Sequence, residues 1–236
     1  MSDEIIQGTD EWKMLRLGKV TASRVKDIVA TTKTGYSTSR DKYMTQLLLE
    51  RLTNSVAESY SNDAMTWGVE NEKYARAAYE QKMGVLVDEV AFVNHPTIEQ
   101  SGASPDGIVG EGLVELKCPM SHTHLESILG GLDDQYKVQV QWQMACTGAK
   151  WTDLCSFDPR FPAELQLVIK RFERDDAYIA TLEKEVIKFL AELDDKLNKV
   201  KYFERLIWKK ETTQACCLKT TRRNRRNILT TKVASW

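Results

Sequence analysis

Apolar residues recur along this chain at both helical and strand periods, and the alternation of the two predicts a mixed α and β architecture. Residues 10–17 (DEWKMLRL) open with two acids and stop at Gly18, the charge and glycine asymmetry of a short helix. A second helix is expected from Thr21 or Ser23, carrying Val25, Ile28 and Val29 inward. The polar segment 31–39 (TTKTGYSTS) reads as a loop, after which Tyr43, Leu47, Leu48 and Leu52 return at helical spacing. Residues 64–83 read as a long helix ended by Gly84, with Trp67, Tyr74, Ala75, Ala78 and Tyr79 on its apolar side.

Beyond Gly84 the period shortens. Residues 85–93 alternate, and short runs at 100–103, 107–109 and 113–117 are bounded by Gly, Pro and Asn, which suggests an antiparallel meander. Helices are expected over 123–129 and 133–147, the second closed by Gly148; strands follow at 151–157 and 165–172, and an amphipathic helix at 175–197. Residues 201–236 are polar, basic and poor in periodic apolar positions. They read as a poorly ordered tail behind one domain of residues 1–200.

Charge and composition narrow the classes. No apolar run reaches the roughly 20 residues of a membrane span, and the first ten residues carry no secretion signal, so a cytoplasmic protein is expected. Five cysteines without paired Cys-x-x-Cys spacing disfavour zinc and iron–sulfur sites; Cys118, Cys146 and Cys155 read as buried small hydrophobes. The tail holds ten Lys and Arg against two Glu, while the first 200 residues hold 23 basic against 32 acidic side chains. An acidic body binds a polyanion only through a local basic patch around a metal-neutralised centre.

Such a centre is suggested by Ser104-Pro105-Asp106-Gly107, a spacer, and Glu115-Leu116-Lys117. In a strand Glu115 and Lys117 share one face while Leu116 points to the other. Asp106, at the turn that begins the preceding strand, then lies across from Glu115. Two carboxylates meeting at one edge repel unless a cation or a proton sits between them. Mg2+, with Mn2+ as a substitute, suits two carboxylates and a main-chain carbonyl such as that of Leu116, and Lys117 beside the bound water suits phosphodiester hydrolysis. The competing reading is a solvated hairpin with ordinary surface charges. On the 64–83 helix Glu70 and Glu72 are either macrodipole compensation or, for one of them, a side-on approach to the same centre.

Several linked motifs in order, WKMLRLGKVTAS, WGVENE, SPDG, LVELKCP, YKVQVQWQMACTGAKW and FDPRF, make the chain resemble the YqaJ-type viral recombinases, the alkaline exonuclease family of phage lambda exonuclease, over roughly residues 12–197. The resemblance implies an α/β fold with a PD-(D/E)xK restriction-endonuclease-like core, a mixed sheet flanked by helices. It implies a Mg2+-dependent 5′→3′ exonuclease that digests one strand of linear double-stranded DNA to mononucleotides for single-strand annealing recombination in the bacterial host of a phage or prophage. Asp106, Glu115 and the Leu116 carbonyl are then metal ligands, Lys117 the catalytic lysine, and Glu72 a further ligand or base. Arg16 resembles the residue that grips the 5′-phosphate, with Ser23 and Ser104 as phosphate contacts; Tyr136 and Gln139 orient phosphate or water, with Gln141 lining the same cleft and Trp142 and Met144 in the core. DNA ends, a single-strand annealing protein and a homotrimer are the implied partners.

One position departs from the family. Where lambda exonuclease has a DNA-contacting arginine, this chain has Thr123 between His122 and His124, which either replace it or cap and pack a helix. Rival functions are an endonuclease or junction resolvase with the same metal chemistry, and an inactive end-binding protein.

Overall fold

A computed structural model describes residues 5–56, 62–130 and 134–231, with side chains through Phe203 other than that of Asp134. Residues 1–191 form one compact unit. Residues 192–236 form a second, helical through Thr231, so the helix expected to end near residue 197 continues past that point; the side chains of the basic tail, Cys216 and Cys217 among them, lie outside the described residues.

The first unit opens with α1 (Asp10–Arg16), capped by the Thr9 hydroxyl, which accepts from the Trp12 amide at 3.3 Å. Strand β1 (Val20–Thr21) leads into α2 (Ala22–Val29), whose Ala22, Val25 and Ile28 are buried. The segment expected as a plain loop forms a small antiparallel hairpin of β2 (Thr31–Thr32) and β3 (Gly35–Tyr36). Its anchor is distant in sequence: the Tyr36 hydroxyl donates to Glu185 at 2.6 Å and accepts from Lys188 at 2.9 Å. Helix α3 (Thr38–Thr53) buries Tyr43, Met44 and Leu47, and α4 (Asp63–Met83) ends on the left-handed Gly84. Tyr74, expected on the apolar side of α4, is exposed; Ala75 and Tyr79 are buried there, together with Asn71.

Residues 85–92 do not form the expected strand. Among the described residues their one β-bridge is Asp88 to Ile108, and Leu86 is left 83% exposed. The short strands β4 (Val93–Asn94) and β5 (Ser101–Ala103) join β1 in a small sheet ordered β1-β5-β4. Next come β6 (Gly107–Val109), β7 (Gly112–Lys117), α5 (Ser121–Gly130), a 3-10 turn Asp134–Tyr136 and α6 (Lys137–Thr147), closed by the left-handed Gly148. After them β8 (Trp151–Phe157), β9 (Leu167–Glu173) and α7 (Asp176–Thr231) complete the order.

Among the described residues the main sheet is ordered β6-β7-β8-β9, with an antiparallel, a parallel and an antiparallel pairing in turn. The expected meander is therefore interrupted at β7 and β8, whose parallel crossover runs through α5 and α6. Strand alternation splits the core into two layers. Val114 and Leu116 of β7, with Cys155 and Phe157 of β8, pack against Ala75 and Tyr79 of α4. Leu113 and Leu154 face the other way, against Val140 and Met144 of α6. Glu115 and Lys117, in step with Leu113, therefore point to the α6 side. Cys118, Cys146 and Cys155 are free and buried, as small hydrophobes.

Candidate active site

The β6 and β7 register pairs Gly107 with Val114, which brings Asp106, one residue earlier, opposite Glu115. Asp106 Oδ2 accepts from the Leu116 main-chain N–H at 2.6 Å, so the carboxylate is fixed across the strand that bears the second acid. Glu115 is 2% exposed and has donors on both oxygens. Lys117 Nζ reaches Oε1 at 2.5 Å, Gln139 Nε2 donates to the same oxygen, and Gln143 Nε2 donates to Oε2 at 2.5 Å.

Glu72 approaches from α4. It is paired with Arg76 at 3.3 Å and is close enough to Glu115 and Lys117 for their charges to act on it. Burial, with the repulsion of Glu115, pushes the Glu72 carboxyl up against the opposing pull of Arg76 and Lys117. Asp106 is raised well above the usual carboxylate range, first by burial and then by Glu115, with Glu72 adding to it against the pull of Lys117. Burial pulls the Lys117 ammonium down, but Glu115 and Asp106 outweigh it and the net shift is upward. Asp106 and Glu72 are thus both raised beside the Glu115 carboxylate and one ammonium, the electrostatic setting in which a divalent cation fits. Among the described residues no three acidic, histidine or cysteine side chains close into a ready metal cage. The donors at hand are two carboxylates and the β7 main chain, with Glu72 beside them. That set suits a hard, partly hydrated Mg2+ rather than a metal bound entirely by protein.

The N-terminal segment is stitched onto the turn that carries Asp106. Gln7 Nε2 donates to the carbonyls of Val90 and Pro105, each at 2.8 Å. The Trp12 indole donates to Ala91 O at 2.8 Å and Ser104 Oγ at 3.0 Å. One helical turn on, Arg16 lies over the Trp12 ring at 4.0 Å and donates to Ser104 Oγ at 3.1 Å. From the other side Glu50 and Arg51 of α3 clamp Gly18, and Tyr43 accepts from the Thr21 amide. Arg16 is lowered by burial against the pull of Tyr43, Glu115 and Glu50, so its guanidinium stands within electrostatic reach of the carboxylate cluster.

The structure therefore draws Asp106, Glu115, Lys117, Glu72, Gln139 and the Leu116 main chain together, and Arg16 with Ser104 beside them. Tyr136 joins through its ring, 5.3 Å from Lys117 Nζ. Ser23 lies half-buried in the first turn of α2, and no hydrogen bond links it to Arg16 or Ser104. Gln141 does not line the cleft: its amide donates to Glu173 O and its oxygen accepts from Asp175 N. Two residues along a helix is about 200° of rotation, so Gln141 faces away from Gln139, whereas Gln143 shares its face. Gln143, fully buried and bonded to Glu115, is the residue that sequence reading missed, and its signal was this spacing of four. Trp142 and Met144 are core, as expected. His124 is fully buried, bonded to Ser156 Oγ and Leu165 O at 2.8 Å each, which is the packing role; His122 is exposed, 3.5 Å from Glu126.

No curated protein sequence matches the chain. Among solved structures, the alkaline exonuclease LHK-Exo from Laribacter hongkongensis is 47% identical, with a TM-score of 0.76 over 82% of this chain and 96% of that one. LHK-Exo in complex with dAMP gives 48% identity with the same TM-score and coverage. A phage-related exonuclease from Haemophilus somnus 129PT, 13% identical over 77% of this chain and 96% of that one, has a TM-score of 0.61 and shares the fold. The mixed sheet flanked by helices is the restriction-endonuclease-like core. The model of the YqaJ-like viral recombinase domain matches residues 11–150, and with those motifs on this sheet the chain belongs to the YqaJ-like viral recombinase family.

Proposed function

We propose that this chain is a nuclease of phage-type recombination, a Mg2+-dependent 5′→3′ exonuclease that digests one strand of linear duplex DNA from a 5′-phosphorylated end. The observation that carries the reading is the opposition of Asp106 and Glu115 across β6 and β7, with Lys117 on the same face as Glu115. The exonuclease relatives support the class of reaction.

Asp106, Glu115 and the Leu116 carbonyl would hold the cation, with Glu72 as a further ligand or base. Bound there, Mg2+ supplies a more acidic water and neutralises charge on the phosphate. Lys117, kept protonated by its two acidic neighbours, acts as a donor at Nζ toward the scissile phosphate or its attacking water rather than as a base. Gln139 and Gln143 hold the Glu115 oxygens in place from α6, and a fixed ligand binds at lower entropic cost. Tyr136 caps the lysine. Arg16 offers a planar fork to a terminal phosphate, and its contact with Ser104 sets that fork beside the turn bearing Asp106; Ser104, with Ser23 at the start of α2, completes the phosphate contacts. A homotrimer threaded by DNA and a single-strand annealing partner complete the proposed assembly, acting in the cytoplasm of the host cell. No helix among the described residues is long and apolar enough to cross a membrane.

Linear duplexes labelled at either end, with and without a 5′-phosphate, separate this reading from its rivals. We expect mononucleotide release from the 5′ end, faster with the phosphate, and no cutting of closed circular plasmid. Plasmid cleavage would point to an endonuclease. Lys117→Ala should lose about 100- to 1000-fold in turnover with folding retained, and Arg16→Ala should erase the preference for phosphorylated ends. Equal rates on both kinds of end in the unmutated protein would remove the Arg16 role.

The strained carboxylates give a stability test. An acid whose pKa is raised on folding binds its proton more tightly in the folded state. Stability is then highest below the ordinary value of 3.8 and declines as pH climbs toward the raised one. Asp106→Asn should therefore raise the metal-free melting temperature at neutral pH, flatten its decline with pH and abolish the rise on adding Mg2+. Calorimetric scans across pH check this, and an unchanged Mg2+ response would exclude Asp106 as a ligand.

Gln143→Leu should raise the Mg2+ concentration for half-maximal activity about tenfold while leaving saturated turnover nearly intact. A metal titration of the variant that matches the unmutated curve would reduce Gln143 to packing.

A further inference from the structure

The turn that follows β8, Asp158-Pro159-Arg160-Phe161, is built more tightly than a connection between two strands requires. Asp158 is fully buried, and accepts from Ser121 Oγ at 2.7 Å and from Arg160 three times: main-chain N at 3.0 Å, Nε at 2.8 Å and Nη2 at 2.8 Å. Burial alone would raise this carboxyl, but the donors from Arg160 and Ser121 outweigh it and hold it at about 2, so the pair stays ionised at every working pH. The Arg160 guanidinium is thereby locked in plane, and its face lies 4.0 Å from the centre of the Trp67 ring. Yet its side chain remains 41% exposed. Asp158 uses Nε and Nη2; among the described residues Nη1 makes no hydrogen bond, and the buried Trp67 Nε1 beside it has no acceptor either.

This bracket stands at the edge where the carboxylate cluster sits. Strands β7 and β8 are parallel with Lys117 paired to Ser156, so both strands end on the same side and the Asp158 turn emerges next to the catalytic lysine's strand. Trp67 lies on α4 five residues before Glu72, and Gly68 lies against the Cys118 carbonyl. The Cys118 thiol, pushed up to about 12 chiefly by burial, is close enough to Glu72, Asp106 and Asp158 for each to add to that shift. A nucleic acid strand that continues from Lys117 along this edge meets Arg160.

We propose that Arg160, oriented by Asp158 and Trp67, binds a backbone phosphate of the DNA strand that crosses the C-terminal edge of β7 and β8. The inference rests on the DNA-cleaving reading of the neighbouring site. A guanidinium has five N–H donors and Asp158 takes two, so the remainder, already desolvated on one face by the indole, meet a phosphate without further ordering of the side chain. The ion pair with Asp158 cancels the long-range charge. The contact therefore acts at hydrogen-bond range and positions the strand rather than steering it.

The test is equilibrium binding of a labelled linear duplex in EDTA, where no cleavage occurs, across a salt series, with steady-state cleavage measured alongside. Arg160→Ala should weaken binding about fivefold to tenfold across the salt series, lower the slope of log K against log salt by less than the roughly one unit of an unpaired cation, and raise KM with kcat little changed. Arg160→Lys keeps the charge and the link to Asp158 but loses the fork. It should fold normally, keep the salt slope and recover only part of the affinity. Arg160→Ala binding with unaltered affinity and slope, whatever its melting temperature, would overturn the proposal and leave Arg160 as a staple of the turn. An unmutated protein that binds no duplex would instead overturn the function from which the inference starts.

Discussion

The opposition of Asp106 and Glu115 is the constraint on which the site depends, and it is a matter of register. In an antiparallel pair a slip of one residue turns every side chain to the other face and would part the two acids. Two close approaches fix the alignment. A Cβ at Gly107 would fall 2.0 Å from a Val87 methyl, and one at Gly112 would fall 2.2 Å from the Trp151 ring that lies across from it on β8. Neither strand can shift without driving a side chain into these contacts. The bond from the Leu116 amide to Asp106 then closes the pair at the end where chemistry is expected.

Holding acids together in this way works against folding. Asp106 is raised first by burial and then by Glu115 and Glu72, and a buried charge costs several kcal/mol unless it is paired and hydrogen-bonded. The compensation is specific. Glu115 is met by an ammonium and two amides, and Glu72 by Arg76. What remains is carried by the two apolar layers on either side of the sheet, where Val114, Val140, Met144 and Leu154 are fully buried. Strain concentrated at a site and offset by an ordinary core is the usual relation between function and stability.

The parts of this fold written in local periodicity were legible from sequence. The helix ending at Gly84, the helix ending at Gly148 and the strands at 107–109, 112–117 and 151–157 follow from glycine stops and short apolar runs. What escaped depends on partners far along the chain. Residues 85–92 alternate like a strand, yet only Asp88 finds a bridge, and alternation without a partner is not a strand. The hairpin at 31–36 looked like a loop because it is polar, but Thr32 bonds within its own turn and Tyr36 is anchored on residues about 150 positions away. Within the site, Asp106, Glu115 and Lys117 were visible because strand geometry relates them directly. Gln143 was hidden beside Gln139, Gln141 and Trp142, until helix rotation separates it from Gln141.

Cations held in place by neighbouring groups explain how a body with more acids than bases would present positive charge to the proposed DNA substrate. Arg16 lies over Trp12 four residues before it, and Arg160 over Trp67, each at 4.0 Å, while Lys117 is tied to Glu115. In each case the cation is held by an aromatic face or an acid, so its position is set before a ligand arrives. A mobile lysine on a solvated surface must be ordered on binding, at a cost of about 0.5–1.5 kcal/mol per side chain; these three need little. Net charge describes the long-range field, and here that field is unfavourable. On the DNA-cleaving reading, affinity would come from a few donors at contact distance, and the residues to test are single arginines with fixed partners rather than a basic stripe.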